Sequence, residues 1–252
     1  MLASERHQLI KTLLERHGTV RTINLAAEFR VTDETIRRDL QILEQEGHLT
    51  RVHGGASSKS GRPALQSFME RSSVNTDAKL AIAEAALSYI QPGQTIAFDS
   101  STTAHSLASQ LPKQPIRVVT NACAILNQLM PYENIDLIST GGRYHQKTQT
   151  LNGPECIDAL HRYNVNTAFI SCIGIDITRG ISEGFEQQAF YKDQLIQYSE
   201  RTILLADSSK FKKRSDYFFA QLSDISSIIT DNSIDPSLVD QFQELGHQII
   251  IA

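Results

Sequence analysis

The chain has 252 residues, a formal net charge of −4 and 40% apolar residues, enough to build a core in one large or two unequal domains. No apolar run approaches the roughly 18 residues that a membrane helix needs, and charges break the apolar pattern of the first turns, unlike a secretion signal. Cys123, Cys156 and Cys172 are odd in number and lack Cys-x-x-Cys spacing, and no histidine pairs at ligand spacing, so disulfides, a zinc site and any cofactor are unexpected and a reducing cytosol fits.

Charge is uneven. Residues 1–62 carry ten basic against eight acidic side chains, leaving +2, and the remainder is −6. A slightly basic head on an acidic body points to a polyanion partner for the head. In that head, Leu9, Ile10, Leu13 and Leu14 recur at helical spacing behind Ser4, taken as an N-cap, and Gly18 stops the helix. A second helix is predicted over Ile23–Phe29, followed by the tight turn Arg30-Val31-Thr32. Thr32 caps a third helix that has Asp33 and Glu34 in its first turn, buries Ile36, Leu40 and Leu43, and ends at Gly47. Two helices, a three-residue turn and a third helix with an arginine-rich open face make a helix-turn-helix. Such a helix fits the major groove, which assigns Thr32, Glu34, Thr35, Arg37, Arg38 and Gln41 to the DNA side. The stretch from His48 to Gly55 has short strand character and a Gly-Gly turn, a wing that offers Arg51 and His53 to the DNA backbone or minor groove. The DNA-binding domain is placed at 1–57, a polar linker at 58–75 and a second domain at 76–252.

The second domain alternates. A helix is predicted over Asp77–Ile90, with Leu80, Ala83, Leu87 and Ile90 on its apolar side, before the Pro92-Gly93 break. Strands follow at Thr95–Phe98, Arg117–Thr120, Ile135–Ser139, Thr167–Cys172, Thr202–Ala206, Ser227–Thr230 and Gln248–Ile251, with helices at Thr103–Gln110, Ala124–Met130, Gln187–Ser199 and Pro236–Leu245. Short continuous apolar strands separated by helices predict an α/β domain around a mostly parallel sheet. Ligands of open α/β sheets bind beyond the carboxyl ends of the strands. Five polar loops lie there: Asp99-Ser100-Ser101-Thr102-Thr103, Thr120-Asn121, Thr140-Gly141-Gly142-Arg143, Gly174-Ile175-Asp176 and Asp207-Ser208-Ser209-Lys210. The hydroxyls and N–H groups of Ser100–Thr103 suit a phosphate, Lys210 adds positive charge to the same anion, and Asp99, Asn121 and Asp176 suit sugar hydroxyls. No P-loop, Gly-x-Ser-x-Gly or Gly-x-Gly-x-x-Gly is present, so neither a nucleotide-phosphate loop nor a dinucleotide site is read.

With those residues in order, the chain resembles the DeoR family of bacterial sugar-metabolism regulators. The resemblance rests on Thr35-Ile36-Arg37-Arg38-Asp39-Leu40 and Arg51-Val52-His53-Gly54-Gly55-Ala56 in the head. In the body it rests on FDSSTTAHSLA, VTNA, STGGR, GID and LLADSSKF. It implies a winged helix-turn-helix domain joined to a Rossmann-like sensor domain similar to sugar-phosphate isomerases; the DSSTT and ADSSK runs also resemble ribose-5-phosphate isomerase. It implies that Asp99, Ser100, Ser101, Thr102, Thr103 and Lys210 contact a phosphorylated sugar, with Glu186 and Lys192 as further contacts. Two segments depart from the family pattern: Ile173 stands where relatives carry a small or polar residue, and Ser182-Glu183-Gly184-Phe185-Glu186 lacks the usual Thr-Thr-Pro.

The expected function is a transcriptional regulator, chiefly a repressor of carbohydrate-metabolism genes, released from double-stranded operator DNA by a phosphorylated sugar. A homo-oligomer, dimer or tetramer, would set two recognition helices about one DNA turn apart. The alternative is a sugar-phosphate isomerase-like enzyme with an attached DNA-binding head, for which Asp176 and Glu186 are the candidate bases.

Overall fold

The computed structural model describes residues 2–17, 19–52, 54–58 and 67–252. They fall into two compact units, Met1–Gln66 and Ser67–Ala252. His53, Gly18 and residues 59–66 of the expected linker lie outside the described residues.

The first unit holds α1 (Ala3–His17), β1 (Thr19–Arg21), α2 (Thr22–Phe29), α3 (Asp33–Gln45), β2 (Leu49–Val52) and β3 (Gly55–Ser58). Ile10 and Leu14 of α1, Leu25 and Phe29 of α2, and Ile36, Leu40 and Leu43 of α3 close one core with Leu49 and Ala56 of the hairpin. Each buried Ile, Leu and Phe side chain contributes roughly 1.5–3 kcal/mol. Leu9, expected in this core, is 42% exposed, one position off the buried stripe. Ser4 is not the N-cap: it lies inside α1, and Glu5 instead accepts the Leu2 N–H. Arg30 ends α2 in the left-handed conformation, φ +54°, and the Val31 N–H returns to the Ala26 carbonyl, which makes the turn before α3 tight.

The hairpin is joined by β1, which the sequence pattern did not reveal, giving the antiparallel order β1-β3-β2. Gly55 sits where β3 crosses β1: a Cβ there would stand 1.9 Å from the Val20 carbonyl oxygen. Only glycine allows that approach.

The second unit opens with α4 (Phe68–Ser72), closed by a capping box between Ser67 and Glu70. This corrects the expected linker at 58–75, whose Ser/Arg-rich composition concealed a capped turn. Next come α5 (Thr76–Ala86), β4 (Thr95–Phe98), α6 (Thr102–Ala108), β5 (Ile116–Thr120), α7 (Cys123–Leu129) and β6 (Ile135–Ser139). A hairpin of β7 (Arg143–His145) and β8 (Thr150–Asn152) leads to α8 (Pro154–Leu160) and β9 (Thr167–Ile170). The rest is β10 (Gly174–Asp176), β11 (Gly180–Glu183), α9 (Glu186–Gln197), β12 (Thr202–Leu205), β13 (Tyr217–Ala220), β14 (Ser227–Thr230), α10 (Pro236–Glu244) and β15 (Ile249–Ile251).

Seven strands form a parallel sheet in the order β15-β14-β12-β9-β4-β5-β6, as the apolar runs predict. Alternate strand residues feed two cores. Ile96, Phe98, Val118, Phe169 and Ile203 pack with α5, α6 and α7; Ala97, Val119, Ala168, Ile170 and Leu204 pack with α8, α9 and α10. The chain runs outward from β4 to β6, then resumes on the other side of β4 with β9. The β4/β9 boundary is therefore the switch point of the sheet, where the connections diverge and a crevice forms. The small sheet β10-β11-β13 was not predicted.

One face was misread. On α5 the buried set is Lys79, Ile82, Ala83 and Ala86, while Leu80 is 50% exposed. That set keeps helical i, i+3, i+4, i+7 spacing, but its first member is a lysine, which shifted the expected stripe onto Leu80.

Candidate functional site

Two regions gather the candidate residues. In the first unit, Thr32 caps α3, accepting the Thr35 N–H at 3.3 Å, with the two hydroxyls 2.9 Å apart. Glu34, Arg37, Arg38 and Gln41 are exposed along the face opposite Ile36, Leu40 and Leu43. Arg37 and Arg38 form no ion pair among the described residues, so their guanidinium groups are available to phosphates or base edges.

The position of α3 is fixed by a contact that its sequence did not announce. Asp39 points inward, 4% exposed, and accepts from Arg6 Nε at 2.7 Å and Nη2 at 3.1 Å, with His7 Nε2 at 2.9 Å. Burial raises the Asp39 pKa, but the hydrogen bonds from Arg6 and His7 outweigh it and hold the carboxyl below its ordinary value. Arg6, His7 and Asp39 thus tie the recognition helix to α1. Arg51 of the wing is already engaged: its backbone N–H and Nε donate to the two Glu44 oxygens at 2.8 and 2.9 Å. His53 lies outside the described residues.

The second region is the crevice at the carboxyl ends of β4, β5, β9 and β12. Asp99 follows β4 and is fully buried. Its Oδ1 accepts the Ser101 N–H at 2.9 Å, and its Oδ2 accepts the Ser171 N–H at 2.9 Å across the switch point. Lys192 Nζ, from α9, lies 3.4 Å from the same oxygen and donates to Glu183 Oε2. Burial pulls the Lys192 pKa down, but Glu183 and Asp99 overcome it and raise it. Asp99 is therefore a clasp between two loops more than a ligand for hydroxyls. Ser100 accepts from Gln188 Nε2 at 2.9 Å, Ser101 caps α6 through the Ala104 N–H, and Thr102 and Thr103 are buried in the first turn. Asn121 donates to the Leu151 carbonyl, and its Oδ1 is buried without a partner.

From the other side come Lys210, its Nζ 4.0 Å from Asp207 Oδ2, and Lys79, whose Nζ donates to the Arg71 and Val74 carbonyls at 2.5 Å each. Burial lowers the Lys79 pKa to about 8; Asp207 opposes this, while Lys210 and Arg71 add to it. Asn75, in the left-handed conformation at φ +52°, donates to Asp207 Oδ1 at 3.0 Å. The structure thus brings Asp99 to Thr103, Asn121, Lys192 and Lys210 to one end of the sheet and adds Arg71, Lys79, Asn75, Glu183 and Gln188, which sequence reasoning missed. Lys79 had a signal, a lysine within an apolar stripe; Glu183 had one in its departure from the family pattern; Arg71 had none.

Three assignments stand elsewhere. Asp176 closes its own turn, accepting the Thr178 and Arg179 N–H groups, and is held by Arg214 Nε at 2.6 Å. The bond to Arg214, then those to the backbone, keep its carboxyl below the ordinary range, the wrong direction for a base. Glu186 is exposed at the start of α9 and lines a groove of about 580 Å³ with Asn152, Pro154, Phe190 and Tyr191. Gly141 and Gly142 lead into the β7–β8 hairpin at φ +68° and +107°; a Cβ on Gly142 would stand 2.6 Å from the Asn152 carbonyl oxygen, and Arg143 is exposed on β7. Their spacing serves the turn. Among the described residues there is no cluster able to hold a metal and no helix long and apolar enough to cross a membrane.

The same two regions are those that known proteins share. Residues 6–62 match the DeoR-like helix-turn-helix domain, and residues 74–232 match the DeoR C terminal sensor domain. The chain is 41% identical over 244 residues to the uncharacterized HTH-type transcriptional regulator YulB of Bacillus subtilis, covering 97% of this chain and 95% of the relative. It is 37% identical to an L-fucose operon activator of Haemophilus influenzae, covering 92% and 94%. It is 32% identical to a putative aga operon transcriptional repressor of Escherichia coli O157:H7, covering 98% and 93%. An exposed arginine face on a tied recognition helix, followed by an α/β sensor domain with a charged crevice, is the arrangement of a DNA-binding transcriptional regulator, and the chain belongs to the DeoR family.

Proposed function

We propose that the protein represses carbohydrate-use genes and leaves its operator when a phosphorylated sugar enters the crevice of the second unit. The observation that carries this reading is the gathering of Arg71, Lys79, Lys192 and Lys210 around the polar loops at the switch point, a place built for a small anion with hydroxyl groups. Supporting it, the fucose-operon and aga-operon relatives are by name regulators of sugar operons. On DNA, Arg37 and Arg38 meet base edges or phosphates, with Thr32, Glu34, Thr35 and Gln41 beside them, Arg51 and His53 on the wing. A homo-oligomer sets two such helices on successive major grooves. The effector acts only through different affinities for the DNA-competent and released states. The isomerase reading is not favoured: Asp176 is locked by Arg214 and Glu186 is exposed outside the cation cluster.

The test is operator binding by the full chain to the region upstream of its own gene, at fixed salt, with phosphorylated sugars and their unphosphorylated partners. Release by a phosphorylated sugar alone is expected. Arg37→Ala weakens operator binding by about 1–3 kcal/mol, roughly 5- to 150-fold. Lys210→Ala leaves operator binding intact and blunts release. Operator binding that no phosphorylated sugar alters overturns the effector reading, and unchanged binding by Arg37→Ala overturns that residue's role.

A further inference from the structure

We propose that Arg71, on α4, binds the phosphoryl group of the effector, and that α4 is the segment through which occupancy of the crevice is registered. The inference rests on the effector reading above and adds a residue to it that neither matched domain contains: one match ends at residue 62 and the other begins at 74.

Nε and Nη2 of Arg71 are buried and have no hydrogen-bond partner. A buried N–H without an acceptor is destabilising, and native proteins keep few of them. Those two nitrogens share one side of the guanidinium, with N–H bonds running nearly parallel, the fork that matches two oxygens of a phosphoryl group. The carboxylates whose charge Arg71 feels, Glu183 and Asp99, are taken up by other donors. Asp99 accepts from the Ser101 and Ser171 N–H groups and is ion-paired with Lys192; Glu183 accepts from Lys192 and the Gly184 N–H. Asp207 accepts from Asn75 and Ser209 and faces Lys210, and Asp231 accepts from Ser208 and Ser233. Neither Arg71 nor Lys79 forms an ion pair among the described residues. The cluster thus holds two cations with no carboxylate of their own, matching the two negative charges of a phosphate monoester.

The surroundings hold Arg71 in place for that task. Its guanidinium lies 5.9 Å from the Phe68 ring, and Phe68 packs edge-on against His105 of α6 at 5.5 Å. Its own carbonyl is gripped by Lys79, and four residues on, Asn75 reaches the Asp207 loop. α4 is thus packed on α6 through Phe68, and Asn75, just beyond it, is bonded to the Asp207 loop. An anion drawing on Arg71 and Lys79 pulls on the helix that leads back along the chain toward the DNA-binding unit.

The experiment uses the full chain as wild type, Arg71→Met, Arg71→Lys and Lys210→Ala. Thermal unfolding and calorimetric titration are run with inorganic phosphate, ribose 5-phosphate and glucose 6-phosphate, with ribose and glucose as controls, followed by operator release with the same probes. Arg71→Met should unfold at a higher temperature than wild type without ligand, since a buried unsatisfied cation is gone. It should bind the phosphorylated probes at least tenfold more weakly and stay on DNA at probe concentrations that release wild type, with partial rescue in Arg71→Lys. In wild type, the Arg71 Nε–H signal in a nitrogen NMR spectrum should shift when phosphate is added, a readout independent of how the variants fold. A lower unfolding temperature with unchanged probe affinity would make Arg71 structural and overturn the proposal. Wild-type-like probe binding in Arg71→Met alongside loss in Lys210→Ala would overturn it while leaving the effector reading standing. No response of wild type to any phosphorylated probe would overturn both.

Discussion

In the DNA-binding unit, buried Asp39 receives three hydrogen bonds from Arg6 and His7. In the sensor unit, buried Asp99 and Glu183 close around Lys192, yet Arg71 beside them keeps two N–H groups without an acceptor. The first cluster is complete and does one thing, holding α3 against α1 so that its arginines face outward. The second is complete in its carboxylates and incomplete in its cations. Buried charge that is fully paired fixes geometry, whereas buried charge left over marks where something else is to bind.

The comparison breaks most sharply at Lys192. Lys192→Met leaves Asp99 and Glu183 as unpaired buried carboxylates and should destabilise the sensor unit by about 3–5 kcal/mol. Urea unfolding of the full chain, followed by probes in each unit, should show the sensor transition move and the DNA-binding transition stay. Equal movement of both would mean that Lys192 is not a local clasp.

Asp39→Asn comes next, at about 1–3 kcal/mol on the DNA-binding unit, with weaker operator binding because α3 loses its charged tie to α1. The folded Asp39 pKa is depressed, so its contribution is present above the unfolded value near 3.8 and is lost as pH falls through the folded value. Acid unfolding of the wild-type DNA-binding unit should therefore be steep below about pH 4, and the asparagine variant should lose that slope. A wild-type profile without it would remove Asp39 from the account.

The smallest effect, and the finest test, is at Lys79. Burial lowers its pKa from the ordinary 10.5 to about 8, so between those values the folded state binds fewer protons than the unfolded one and the unliganded chain gains stability as pH rises. Anion affinity should move oppositely, falling as much as tenfold per pH unit above 8, because binding then requires Lys79 to regain its proton. Phosphate monoesters are already fully ionised there. Lys79→Met should flatten both trends; a wild-type affinity constant from pH 8 to 10 would exclude this lysine from the anion's surroundings.

Much of this was readable from the chain. The helix-turn-helix followed from cap, turn and stripe, and the parallel sheet from apolar runs punctuated by Asp-Ser, Thr-Asn and Asp-Ser-Ser-Lys loops. Local chemistry identifies a loop after a strand, so Asp99 and Lys210 were within reach, while Lys192, inside α9, came only from the family resemblance. It does not identify which carboxylate a loop has to spare: Asp176 looked as available as Asp99, and only the fold gives it Arg214. Arg71 was hidden because a serine- and arginine-rich stretch reads as solvated linker, and its burial depends on distant elements such as α6 packing against α4.

The switch-point clasp also has a consequence for biosynthesis. Asp99 and Ser171 are 72 positions apart, so β4 waits for β9 while the intervening chain is made. At ribosomal speeds of about 5–20 residues per second, that interval lasts several seconds. During it β5 and β6 can pair on one side of β4, while the other side presents an open parallel edge of Thr95-Ile96-Ala97-Phe98, a template for association between nascent chains. The bond that shapes the sensor's crevice is also the one whose late closure seals that edge.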